Sequence, residues 1–204
     1  MNLKKLKAVL AFTCVVGSNV SVAGEGSFGW LYTLDLQPKG TLEFEQKIDV
    51  TTGQATGKYN LWKTKTGLEY GITNDLQLTG YLNAYSISAN KNYVNNEACS
   101  GYSNPCTHGF GVSGSPNDPF SRTLIDGASL EAIWRITNPV ISPVGVGLYG
   151  ELTKGTLADA FEARLLLQSN FLDDRLVVSA NVVAEIEKYK FDGVSHESMI
   201  DLLY

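Results

Sequence analysis

KYNLWKTKTGLEYGITNDLQLTGYLNAYSISA, Lys58 to Ala89, holds two long alternating runs joined by the tight turn Ile72-Thr73-Asn74-Asp75, the pattern of an antiparallel hairpin. In the first run Trp62, Thr64, Thr66, Leu68 and Tyr70 share one face, while Lys63, Lys65, Gly67 and Glu69 share the other, as a side-chain period of two dictates. In the second, Leu76, Leu78, Gly80, Leu82 and Ala84 oppose Gln77, Thr79, Tyr81, Asn83 and Tyr85. Each run reaches the roughly 9–11 residues that a membrane-crossing strand needs, whereas strands in soluble sheets usually have about 5–6. Which face meets water therefore decides the fold.

The same division continues on both sides of the hairpin. Before it, Leu42, Phe44, Ile48 and Val50 oppose Glu43, Glu45, Lys47 and Asp49, with Gln46 the exception on the apolar side. After it, Leu124, Ala128, Leu130, Ala132, Trp134 and Ile136 oppose Gly127, Ser129, Glu131 and Arg135. Val144, Val146, Leu148 and Leu152 then oppose Gly145, Gly147, Tyr149 and Glu151, and Phe161, Ala163, Leu165, Leu167 and Phe171 oppose Glu162, Arg164, Gln168 and Asn170. A seventh run sets Leu176, Val178, Ala180, Val182, Ala184 and Ile186 against Ser179, Asn181, Glu185 and Glu187, with Val177 and Val183 as mild exceptions. An eighth starts at Ser198 and puts Ile200, Leu202 and Tyr204 on the apolar face.

Three regularities choose between a soluble and a membrane sheet. Connections 52–57, 90–122, 153–159 and 191–197 at one end are on the whole longer than 72–75, 137–143 and 172–175 at the other, as outer loops and periplasmic turns of a membrane barrel are. The aromatics Trp62, Tyr70, Trp134, Phe161 and Phe171 lie near run ends on the apolar face, the placement of a lipid-facing girdle. Glu43, Glu45, Lys47, Asp49, Lys63, Lys65, Glu69, Glu131, Arg135, Glu151, Glu162, Arg164, Glu185 and Glu187 all share the other side. Against lipid such charges cost several kcal/mol apiece, so they must face a lumen. The expected fold is all-β, an antiparallel up-and-down transmembrane β-barrel over residues 41–204 with about eight strands visible. A soluble sandwich or lipocalin-like ligand-binding barrel would instead turn its apolar face inward.

The chain has 204 residues, 44% of them hydrophobic and 18% charged, which suits one folded domain. Past the N-terminus no apolar run approaches the ~20 residues of a membrane-spanning helix, so any membrane crossing is by strands. Lys4, Lys5 and Lys7 precede the apolar stretch Ala8 to Gly17 and the small-residue site Ser21-Val22-Ala23, the pattern of a cleaved signal peptide over 1–23. Residues 24–40, GEGSFGWLYTLDLQPKG, mix aromatics with glycines and end in a turn signal; they read as an N-terminal arm or a partial first strand. Cys14 leaves with the signal, so Cys99 and Cys106 remain as an even pair in an oxidising compartment, where a disulfide is the expected state. The formal charge of −5, which still counts the signal lysines, excludes nucleic acid as an expected partner.

The segments PKGTLEFEQ (Pro38 to Gln46) and LEYGITNDLQLTGYLN (Leu68 to Asn83) resemble those of outer-membrane β-barrel proteins of Gram-negative bacteria. More narrowly they look like uncharacterised barrel families with a glutamate-rich first strand and a Tyr-Gly-Ile-Thr-Asp/Asn turn. The resemblance implies an outer-membrane location, contact with its lipid, and the barrel-assembly and periplasmic chaperone machinery as partners. Such families continue for further strands, so the expectation is a sequence that stops before its barrel does. The other reading is a small barrel ending on the aromatic Tyr204.

No nucleophile, base and orienting group can be assembled from spacing, and no phosphate loop, zinc spacing or nucleophile elbow is present. His108 and His196, beside Ser195 and Glu197, read as outer-loop residues rather than catalytic or metal-binding ones. The pairs Glu43 with Glu45 and Glu185 with Glu187 read as lumen wall, whose acidic excess would favour cations in an open lumen. No cofactor is expected. The resulting reading is a non-enzymatic surface or structural barrel or a narrow pore, with external recognition at the loop 90–122. The alternatives are a lipid- or peptide-hydrolysing outer-membrane enzyme and the soluble ligand-binding barrel.

Overall fold

The computed structural model describes residues 31–53, 57–91, 118–156 and 158–190, and the backbone of 196–203. The expected signal peptide, Cys99, Cys106 and His108 lie outside the described residues. The chain forms one antiparallel sheet in the order β1 (Leu42–Thr52), β2 (Lys58–Gly71), β3 (Leu76–Asn90), β4 (Phe120–Thr137), β5 (Gly145–Gly155), β6 (Ala158–Phe171), β7 (Leu176–Tyr189) and β8 (His196–Leu203). Each strand pairs with the next, and among the described residues no pairing joins β1 to β8. The hairpin of β2 and β3 pairs from Gly71 opposite Gln77 to Lys58 opposite Asn90, a register that keeps together the two faces read from its sequence.

Burial follows the alternation. Large apolar side chains stand exposed along one face, among them Phe44, Trp62, Leu68, Leu82, Leu130, Trp134, Leu148, Phe161 and Val178. Glu69, Glu131, Glu151, Arg164, Gln77, Gln168 and Asn181 are buried on the other. The buried face is the inside of a strong curl. Lys65 on β2 bonds Glu151 on β5 at 2.5 Å, although three strand spacings amount to roughly 14 Å in a flat sheet.

Four sequence expectations are corrected. Leu124 faces inward, because the register shifts between Asn83 and Ala84 so that Asp126 is inserted into β4, and one extra residue flips every side chain before it. The bulge depends on Gly127, at φ 146°, where a Cβ would overlap the Lys154 carbonyl. The bulge also turns Asp126 towards the next connection, where it accepts bonds from Thr156 N at 3.1 Å and Thr156 Oγ1 at 2.7 Å. With the turn held in this way β5 runs on to Gly155 and β6 starts at Ala158, so the expected loop 153–159 shrinks to a tight turn and loop lengths no longer alternate cleanly. The segment 90–122 gives up Phe120 to Arg122, which pair with Ala89 to Ile87. His196 opens β8 opposite Lys188 instead of lying in a loop.

Candidate functional site

The inner face is where the chain concentrates its polar chemistry, and residues 31–40 lie in it. They form no strand; they cross the sheet near the end that carries the turns 72–75, 138–144 and 172–175. Asn181 Oδ1 on β7 accepts from Tyr32 N at 2.8 Å, and its Nδ2 donates to Tyr32 O at 2.9 Å. Gln168 Oε1 on β6 accepts from Leu34 N at 2.6 Å, while Arg135 Nη1 on β4 donates to Leu34 O at 3.1 Å. Gln77 Oε1 on β3 accepts from Gln37 N at 2.7 Å. The Gln37 amide donates in turn to Glu43 of β1. Asn and Gln carry a donor and an acceptor on one planar group, so each can answer a backbone as a neighbouring strand would.

An apolar seat lies under these bonds. Tyr32, Leu34 and Leu36 pack with Ile133, Tyr149 and Leu166. Ile133 stands opposite Tyr149, and Leu166 opposite Gly147, so the seat is one patch on three neighbouring strands. Gly147 gives it depth, since a Cβ there would overlap Leu34 Cδ2. Where the arm leaves, Gly40 N donates to Gly71 O at 2.7 Å and Gly71 N to Thr41 O at 3.1 Å. A Cβ on Gly71 would overlap the Pro38 carbonyl, whereas one on Gly80 would meet nothing within 4 Å. Gly71→Ala is therefore expected to cost about 1–3 kcal/mol by overpacking, with Gly80→Ala near neutral; denaturant midpoints of the two variants in detergent check this.

Beyond the arm, the charged side chains form a network across the concave inner face. The Tyr32 hydroxyl donates to Glu131 Oε2 at 2.9 Å and accepts from Lys47 Nζ at 3.0 Å. Lys47 also donates to the Tyr81 hydroxyl at 3.0 Å and pairs with Glu45 at 3.2 Å. Glu45 in turn accepts from the Tyr81 hydroxyl at 2.5 Å. Glu151 accepts from Lys65 and, at 2.6 Å, from the Tyr149 hydroxyl. Arg164 pairs with Glu162 and lies 4.7 Å and 5.1 Å from the ring centres of Tyr32 and Tyr149, within cation–π range. Tyr32 thus touches groups of β1, β4, β5, β6 and β7, which is possible only because the sheet wraps around it.

Every lumen-facing charge read from the sequence has inner-face parity, although Lys63 is exposed and Arg135 sits at the rim, bound to Asp75 at 3.0 Å. Trp62, Tyr70, Trp134, Phe161 and Phe171 are all exposed on the outer face. Trp62 and Phe161 stand towards the end of the longer connections; Tyr70, Trp134 and Phe171 stand towards the other. Sequence reading missed the arm's seat. Its signal was the apolar pair Ile133 and Leu166 on a mainly polar face, which become neighbours of Gly147 only once the register is known. A second inner patch, Leu61, Tyr85 and Ile87 with Tyr59, Phe120 and Leu124, lies at the opposite end.

Residues 20–200 match the model of a family of unknown function, DUF6662. No curated protein and no solved structure matches the chain.

Proposed function

Since the chain belongs to DUF6662, whose function is unknown, we propose a role from its two faces: an outer-membrane β-barrel protein, non-enzymatic, that serves as a structural or surface barrel or as a narrow pore closed at rest by its own arm. The observation that carries this reading is the exposed apolar face that runs from Phe44 and Ile48 on β1 to Val178, Val182 and Ile186 on β7. Soluble monomers rarely expose contiguous apolar patches larger than a few hundred Å², and a ligand-binding barrel in water would turn this face inward. In lipid the same face is the favourable one, and the charges are sheltered in the lumen.

The inner carboxylates support a structural rather than a catalytic part for the lumen. Glu45, Glu151 and Glu162 each hold a cation, and Glu43 and Glu131 hold the arm. Export through a cleaved signal peptide, the lipid of the outer membrane and its barrel-assembly machinery belong to the same proposal. Cell fractionation tests it: the protein is expected in the outer membrane and to migrate differently on gels before and after heating. A chain that stays soluble without detergent after export would remove the proposal.

A further inference from the structure

The seat of the arm has the properties of a binding site for an extended polypeptide. Asn181, Gln168 and Gln77 are buried to within 1% of full enclosure; the amide oxygen of each accepts from a main-chain N–H of the arm, and Asn181 also donates to the Tyr32 carbonyl. Main-chain groups are common to every sequence, so these bonds recognise an extended conformation, as strand addition to a sheet edge does. Selectivity comes from the pocket of Ile133, Tyr149 and Leu166, which packs Tyr32, Leu34 and Leu36; Thr33 between them is 1% exposed, so the pattern is aromatic, small and buried, aliphatic, any, aliphatic. The aromatic position is read further by its hydroxyl, held between Glu131 and Lys47.

We propose that the inner face is a receptor for an extended peptide of this pattern and that residues 31–39 occupy it as a ligand in cis. A tethered segment competes at high effective concentration, so a free peptide enters only when the arm is weakened or pulled out. Withdrawal of the arm removes the polypeptide that crosses the lumen. That last consequence rests on the membrane-barrel reading; the peptide site does not.

The probe is a fluorescently labelled peptide of residues 31–39, LYTLDLQPK, added to the full chain in detergent. Leu34→Asp sets a carboxylate against Ile133 and Leu166 and loosens the arm. This variant is expected to bind the peptide saturably, and the unaltered chain at least about tenfold more weakly. Adding Asn181→Leu to Leu34→Asp removes both bonds to the Tyr32 main chain and should weaken the peptide about tenfold. Tyr32→Ala provides a second loosened arm if Leu34→Asp does not fold. Equal uptake by all these chains, or none by loosened-arm chains that keep their β circular dichroism, overturns the proposal. Outer-membrane fractionation of the unaltered chain reports on the barrel reading alone, so the two ideas fail separately.

Discussion

Leu130→Lys is expected to keep the chain from reaching its folded, heat-modifiable form in phospholipid vesicles, while Leu130→Ala folds almost normally. Leu130 is 56% exposed on the outer face of β4 and lies opposite Leu152 of β5 and Gly80 of β3. At the middle of a bilayer a lysine on that face costs about 2–4 kcal/mol. In water the same substitution at so exposed a position stays within about 0.5 kcal/mol. The two environments therefore differ by more than the measurement error, and the alanine separates loss of size from gain of charge. Urea titration of refolded protein in vesicles reads the effect, and equal midpoints for the two variants would mean that the outer face is not in lipid.

The second large effect is expected at the arm. Leu34 is 0% exposed and fills the space over Gly145 and Gly147. Leu34→Ala leaves a cavity between Ile133 and Leu166, with an expected loss of about 2–5 kcal/mol. Lys39→Ala, on an exposed residue of the same segment, is expected to change stability by less than about 0.5 kcal/mol. The contrast is read as the shift in denaturant midpoint of full chains in detergent. A Leu34→Ala midpoint no lower than that of Lys39→Ala would mean that the segment does not contribute to the fold.

The faces of the sheet were legible because burial on one side forces a period of two, which survives in composition alone. The hairpin from Lys58 to Asn90 kept its two faces for that reason, as did the alternation from Glu43 to Glu187. Positions that depend on a partner far away in sequence were not legible. Leu124 looked outward until the Asp126 insertion was known, and nothing local distinguishes an inserted residue from a paired one. The connection 153–159 looked like a loop because its tightness depends on Asp126, from another strand. Residues 24–40 read as an N-terminal arm or a partial first strand, and sequence could not choose, since the alternation of 31–36 is real but the hydrogen-bond partners of this segment are mostly side chains rather than a strand. Val183 and Leu166, which interrupt the polar face, were informative exceptions: both are buried, and Leu166 marks the arm's resting place.

The arm also constrains the order in which the molecule is made. Tyr32 is bonded by Asn181, 149 residues later in the chain. Leu34 and Gln168 are separated by 134. Such contacts close loops over most of the chain, and contacts of this kind form slowly. Hairpins can pair as neighbours emerge, but the segment 31–39 must wait for the sixth and seventh strands before its backbone is satisfied. The N-terminal segment is thus fastened by strands that are synthesised late, and a docked arm is a sign that β6 and β7 are already in place.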